Sequence, residues 1–188
     1  MPSKSHESQG FRLLRELFTH GKQIFNMDDT KIAANAQNIS SSKLSKILSN
    51  LTKQGRILRL RRGLYVSLGL GEEYTSIHAF VISSYLIQPS VISHWSALQH
   101  HGLTEQIPQI ITASTTKKIL TPSMREKQES KLKAKHAWDI AGVRYEYTHV
   151  QKKHDFGIEK IWLDEHFNVS ITDKERTLLD VFIYPKMF

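Results

Sequence analysis

Phe11, Leu13, Leu14, Leu17 and Phe18 recur at helical spacing, which predicts an amphipathic helix from Gln9 to about His20, closed by Gly21. Gln23 to Met27 reads as a short β segment. Asp28 or Asp29 then offers an N-cap for a second helix reaching about Gln37. After the polar link Asn38–Ser40, Ser41 is the expected cap of a third helix ended by Gly55. On that helix Leu44, Ile47, Leu48 and Leu51 fall at i, i+3, i+4 and i+7, a stripe that must face a core. Ile57–Arg61 and Leu64–Leu68 alternate apolar and polar around Arg62-Gly63, the pattern of a tight hairpin. The predicted order, α–β–α–α–β–β, is that of a winged helix-turn-helix. In that arrangement the third helix lies in a DNA groove and the hairpin touches the flanking backbone.

Two glycines and two acids at Gly69–Glu73 break the pattern and predict a boundary. The chain therefore divides into a winged-helix domain over residues 1–70 and a second domain over 74–188, of mixed α/β type. In the second part Tyr74 to about Leu86 reads as helix, and Val91–His101 as another ending at Gly102. Strands are expected at 107–112, 136–150 (turning at Ala141-Gly142), 158–163 and 169–171. Asp173 caps a last helix through Phe182. Thr115–Lys135 is polar, charged and gives no clear period. The fold class expected for the whole is α+β.

Charge sharpens this picture. Of 26 Lys and Arg and 18 Asp and Glu, residues 1–70 hold 12 and 4, a net of +8, leaving 14 of each for residues 71–188. An excess confined to one small domain is the footprint of a polyanion partner. The outward face of the third helix carries Ser42, Lys43, Lys46, Ser49, Asn50 and Lys53. Small hydroxyls allow close approach, lysine supplies charge to phosphate or guanine, and asparagine pairs with adenine in the major groove. Arg59, Arg61 and Arg62 in the hairpin are expected to grip phosphates or the adjacent minor groove. Lys31 and Lys22 are weaker candidates for backbone contacts. The competing reading, that lysines on a helix are only a solvated face, is weakened by the absence of any acid between Lys31 and Leu70.

Three segments carry a resemblance. LSNLTKQGRILRLRRGLYV, on Leu48, Leu51, Gly55, Arg59, Arg62, Gly63 and Tyr65, resembles the helix-and-wing of AbiEi-type antitoxins. SHWSALQHHGL, on Trp95, Ala97, Leu98, Gly102 and Leu103, is similar to a W-x-A-L-x-x-x-G-L segment of that family. ERTLLD, Glu175 to Asp180, is similar to its E-[KR]-T-L-L-D helix. The resemblance implies a transcriptional autorepressor of a type IV toxin–antitoxin operon of the abortive-infection kind. Its DNA partner would be a double-stranded operator of inverted repeats. Its second domain would counteract a nucleotidyltransferase-like toxin without a tight complex. Family members often continue past the equivalent of Phe188, and the apolar ending IYPKMF reads as that of a fragment.

Other chemistry finds less support. The chain has no cysteine, so neither disulfides nor thiolate zinc sites arise. His94, His100 and His101 invite a metal hypothesis, but His100 lies about 100° from the other two on a helix, so structural or surface roles are expected. Glu129-Ser130-Lys131 matches half of a nuclease motif, in a charged segment unsuited to a pocket. No phosphate-cradling glycine loop, nucleophile elbow or HExxH is present. The expectation is a protein without a cofactor or catalytic site, cytoplasmic and with no membrane partner. Two alternatives remain open: a DNA-targeted nuclease and a winged-helix adaptor that binds proteins.

Overall fold

The structure is a computed structural model, and it describes residues 8–69, 77–119 and 137–184. Within them the fold is α+β, with six α-helices and two sheets. The chain falls into two units, Met1–Ile77 and His78–Phe188.

The first unit begins with α1 (Gln9–Thr19), whose N-cap Ser8 accepts from the Phe11 amide. Gly21, at φ +66°, turns the chain so that the Lys22 amide can bond the Leu17 carbonyl at 2.9 Å. β1 (Ile24–Asn26) leads directly into α2 (Met27–Ala36). The cap of α2 is Asn26, not Asp28 or Asp29. Its side chain accepts from both of their amides, and the Asp29 carboxylate accepts from the Asn26 amide at 3.0 Å, completing a capping box. α3 runs Ser41–Lys53 with Ser40, rather than Ser41, at the cap position. β2 (Ile57–Arg61) and β3 (Leu64–Ser67) form the hairpin, and β3 lies between β2 and β1 in an antiparallel sheet.

Leu13, Leu14 and Leu17 of α1, Ala33 and Ala34 of α2, and Leu44, Leu48 and Leu51 of α3 meet Phe25 and Ile57 in one core. Each buried leucine stabilises the unit by about 1.5–3 kcal/mol, enough together to fix how α3 is turned. Ile47 packs at the margin of this core. Tyr65 of the hairpin packs against the same core, its ring stacked on Phe25 at 5.9 Å.

The second unit contains a six-stranded mixed sheet in the order β6-β7-β5-β4-β9-β8. Its elements are α4 (Ala79–Leu86), β4 (Val91–Ile92), α5 (His94–His100), β5 (Ile110–Thr115), β6 (Ala137–Ile140), β7 (Val143–His149), β8 (Ile158–Trp162), β9 (Asn168–Thr172) and α6 (Lys174–Ile183). A 3-10 turn at Lys152–His154 follows β7. Thr112 exchanges two hydrogen bonds with Ser96 of α5. Its neighbour Ala113 is in register with Tyr147, whose hydroxyl donates to the Ser83 carbonyl of α4 at 2.6 Å. Adjacent strand residues point to opposite faces, so α4 and α5 cover opposite sides of the sheet.

Several expectations change here. The helix expected over Val91–His101 is a two-residue strand followed by α5. Val91 and Ile92 pair with Ser114 and Ala113, and Ile92 also with Ile171, so burial between β5 and β9 overrides the helical period. α4 starts at Ala79, where His78 accepts from the Phe80 amide and caps it, and the part of the expected helix at 74–76 lies outside the described residues. β5 begins three residues later than expected, past Pro108, and continues to Thr115 alongside β7. The Ala141-Gly142 turn and the Asp173 cap of α6 stand as expected. Most of Gly69–Glu73, all of Glu129-Ser130-Lys131 and the end of IYPKMF lie outside the described residues. No helix among the described residues is long and apolar enough to cross a membrane.

Candidate nucleic-acid interface

With Leu44, Leu48 and Leu51 committed to the core, the opposite face of α3 is left to solvent, and Ser42, Lys43, Lys46, Ser49, Asn50 and Lys53 are all exposed on it. Arg59, Arg61 and Arg62 are exposed as well. They owe this to a break in the hairpin: Arg59 pairs with Tyr65, but Arg61 pairs with Leu64, so one extra residue enters β2 between them. The extra residue shifts the phase of the strand. Ile57 and Leu60 both reach the interior while Arg59 and Arg61 both stay outside. Gly63, at φ +73°, closes the two-residue turn in a conformation that side chains resist.

The electrostatics separate these residues into two groups. Among the described residues, none of Lys43, Lys46, Lys53, Arg59, Arg61 and Arg62 has a carboxylate within ion-pair distance. Lys31 is paired with Asp28 at 3.1 Å and Lys22 with Asp29 at 3.1 Å. The charge on α2 is thus locally balanced and that on α3 and the hairpin is not. An unbalanced cation on an exposed face gains more from a phosphate than one already holding a carboxylate.

Lys43, Lys46 and Asn50 also line a groove of about 460 Å³ between α3 and the first turn of α1. Gly10 forms part of its wall. A Cβ at Gly10 would stand 3.0 Å from the Leu51 side chain, so any larger residue here requires Leu51 to shift by a few tenths of an ångström. Ser8, Gln9 and Gln54 border the same groove. None of the three is distinguished by the hydrophobic pattern, because the contact is tertiary.

In the second unit the histidines occupy three different environments. His94 is fully buried at φ +56°, with Nδ1 2.7 Å from Ser93 Oγ, and burial holds its pKa down at about 4. His101 donates from Nε2 to the Thr172 carbonyl at 2.7 Å. His100 is exposed at the end of α5, its pKa lowered by partial burial and by the neighbouring His101. No cluster of three metal-ligating side chains occurs among the described residues. Trp95 is half-buried, and Ala97 and Leu98 are buried, so this segment forms packing surface. In Glu175–Asp180 the buried positions are Arg176, Thr177 and Asp180, while Leu178 and Leu179 are exposed.

No family model matches this chain, and no curated protein matches it.

Proposed function

We propose that this chain is a DNA-binding regulator whose first unit is a winged helix-turn-helix, with α3 as the reading helix and the β2–β3 hairpin as the wing. The observation that carries the reading is the unbalanced charge: six exposed Lys and Arg side chains on α3 and the hairpin, none paired with a carboxylate among the described residues. Protein-only modules built on such folds have no need of a surplus like this. Lys46 and Asn50, one turn apart and both exposed, would meet base edges on this reading. Ser42 and Ser49 leave room for the groove wall, and the arginines supply phosphate contacts. Inverted repeats in double-stranded DNA would suit two copies of such a unit.

The wider role rests on the resemblance of Leu48–Tyr65, Trp95–Leu103 and Glu175–Asp180 to AbiEi-type antitoxins. On that reading the protein is a cytoplasmic autorepressor of a type IV toxin–antitoxin operon, and residues from about 74 onward counteract a nucleotidyltransferase-like toxin. It acts as a regulator, with no catalytic step assigned. The deciding experiment has two arms. The full chain is titrated against a duplex spanning the DNA upstream of its own reading frame, and the adjacent open reading frame is expressed with and without it. Tight upstream binding together with rescue from a toxic neighbour supports the whole proposal. Upstream binding without rescue leaves a repressor and removes the antitoxin role. Absence of binding removes the DNA reading.

A further inference from the structure

The groove between α1 and α3 is continuous with the proposed reading face, since Lys46 and Asn50 belong to both. Gly10 lets α1 lie close against Leu51 and Ile47, so that a Cβ there would press on the Leu51 side chain at 3.0 Å. Its polar lining is Ser8, Gln9, Lys43, Lys46, Asn50 and Gln54, two cations and four neutral hydrogen-bonding groups with no acid among the described residues, set over an apolar floor of Gly10, Ile47 and Leu51. Lys43 and Lys46 stand at i and i+3, on one side of α3, so both ammonium groups serve the same stretch of groove. Neither has a carboxylate partner among the described residues. A groove of about 460 Å³ with this lining suits a phosphodiester segment, whose anionic oxygens take the lysines and whose remaining acceptors take the side-chain amides.

The geometry points to a phosphate-holding groove in which the backbone of the same duplex read by α3 lies between Lys43, Lys46 and Gln54 on the α3 side and Ser8 and Gln9 at the start of α1. This rests on the DNA reading of α3 and extends the interface to α1, which the charge pattern of the chain does not mark. A strand seated there fixes how far α3 enters the major groove, since phosphate contacts set register and base contacts read sequence. Gln9 and Gln54 therefore act as positioning residues for the reading helix.

The test introduces one negative charge into the groove without disturbing the fold. Gln9 is exposed in the first turn of α1, where a glutamate is favoured by the helix dipole, so Gln9→Glu leaves stability intact or raises it. Thr19→Glu makes the same change in charge at the far end of the same helix, about 15 Å away by helix geometry and beyond the screening length at physiological salt. Binding of the full-length variants to the upstream duplex is measured across a salt series. Gln9→Glu is expected to weaken binding about fivefold or more and to make the salt slope shallower by about one, with Thr19→Glu within about twofold of the parent. If Gln9→Glu matches Thr19→Glu while Lys46→Ala weakens binding, the groove holds no phosphate and the inference fails with the DNA reading intact. If all three variants bind like the parent, the reading of α3 fails and takes the inference with it.

Discussion

Arg176 and Asp180 face one another across one turn of α6, with the guanidinium Nε 2.8 Å from the carboxylate Oδ1 and the side chains 3% and 0% exposed. Arg176 also donates to the carbonyls of His154 and Phe156 and lies over the Phe156 ring at 4.6 Å. The pair thus ties the connection that follows β7 to the last helix. Gly157 makes this approach possible, because a Cβ there would sit 2.6 Å from the Arg176 Cβ.

Removing one member leaves a buried charge uncompensated, so Asp180→Ala is expected to destabilise the second unit by about 3–5 kcal/mol. All three tryptophans, Trp95, Trp138 and Trp162, lie in that unit, so denaturation followed by tryptophan fluorescence reports it alone. An unchanged midpoint would show that the His154 and Phe156 carbonyls compensate the Arg176 charge without Asp180.

His94 gives the second unit an acid limit. Burial lowers its pKa from 6.5 to about 4, so the folded chain refuses a proton that the unfolded chain accepts. The stability this provides is fully present above pH 6.5 and is lost as pH falls towards 4, at about 1.4 kcal/mol per pH unit. His94→Asn tolerates the left-handed backbone at φ +56° and removes the titration. Its unfolding midpoint should fall less steeply between pH 6.5 and 4 than that of the parent. Equal slopes would place the proton uptake elsewhere, with His78 and His100, whose pKa values burial also lowers, as the first alternatives.

The first unit was largely legible in the chain because its helices are amphipathic and its hairpin is closed by Arg62-Gly63. Periodicity finds Leu44, Leu48 and Leu51, and by exclusion finds the exposed face opposite them. It does not find the extra residue in β2. Strict alternation puts Ile57 on the same side as Arg59 and Arg61, and only the shift in pairing resolves that conflict. In the second unit the pattern misleads for a physical reason. Arg176 and Asp180 are charged and Leu178 and Leu179 apolar, yet the charged pair is the buried one, because the guanidinium is taken up by the Asp180 carboxylate and by the His154 and Phe156 carbonyls, partners no periodicity shows. Val91 and Ile92 are too short a run for a period to show, and long-range pairing alone makes them a strand.

Electrostatics sets the next expectation. If the first unit neutralises about five phosphates, log K for duplex DNA should fall with log[salt] with a slope of roughly −4 to −5. A binding series from low to physiological salt gives the slope directly. A flat response would detach the charge surplus from DNA and favour a protein partner.

The last expectation separates affinity from specificity within the proposed interface. Arg61 and Arg62 are exposed at the tip of the hairpin, where on the proposed reading they would meet phosphates rather than base edges. Arg61→Ala and Arg62→Ala should therefore weaken binding to upstream and unrelated duplexes by similar factors and reduce the salt slope by about one each. Asn50 and Lys46 lie on the side of α3 turned away from Leu44 and Leu48, where a helix in a major groove meets bases. Asn50→Ala should cost about 1–3 kcal/mol on the upstream duplex and much less on the unrelated one, whereas Lys46→Ala, which also removes a groove phosphate contact, should weaken both and the upstream duplex more. Because all four side chains are exposed, none of these changes should move the unfolding midpoint, so a loss of binding cannot be ascribed to a loss of fold. Competition assays with both duplexes provide the ratio. Should the hairpin variants alter sequence preference while Asn50→Ala leaves it untouched, the hairpin is the reader and α3 the clamp, the reverse of the assignment made from the pattern of the chain.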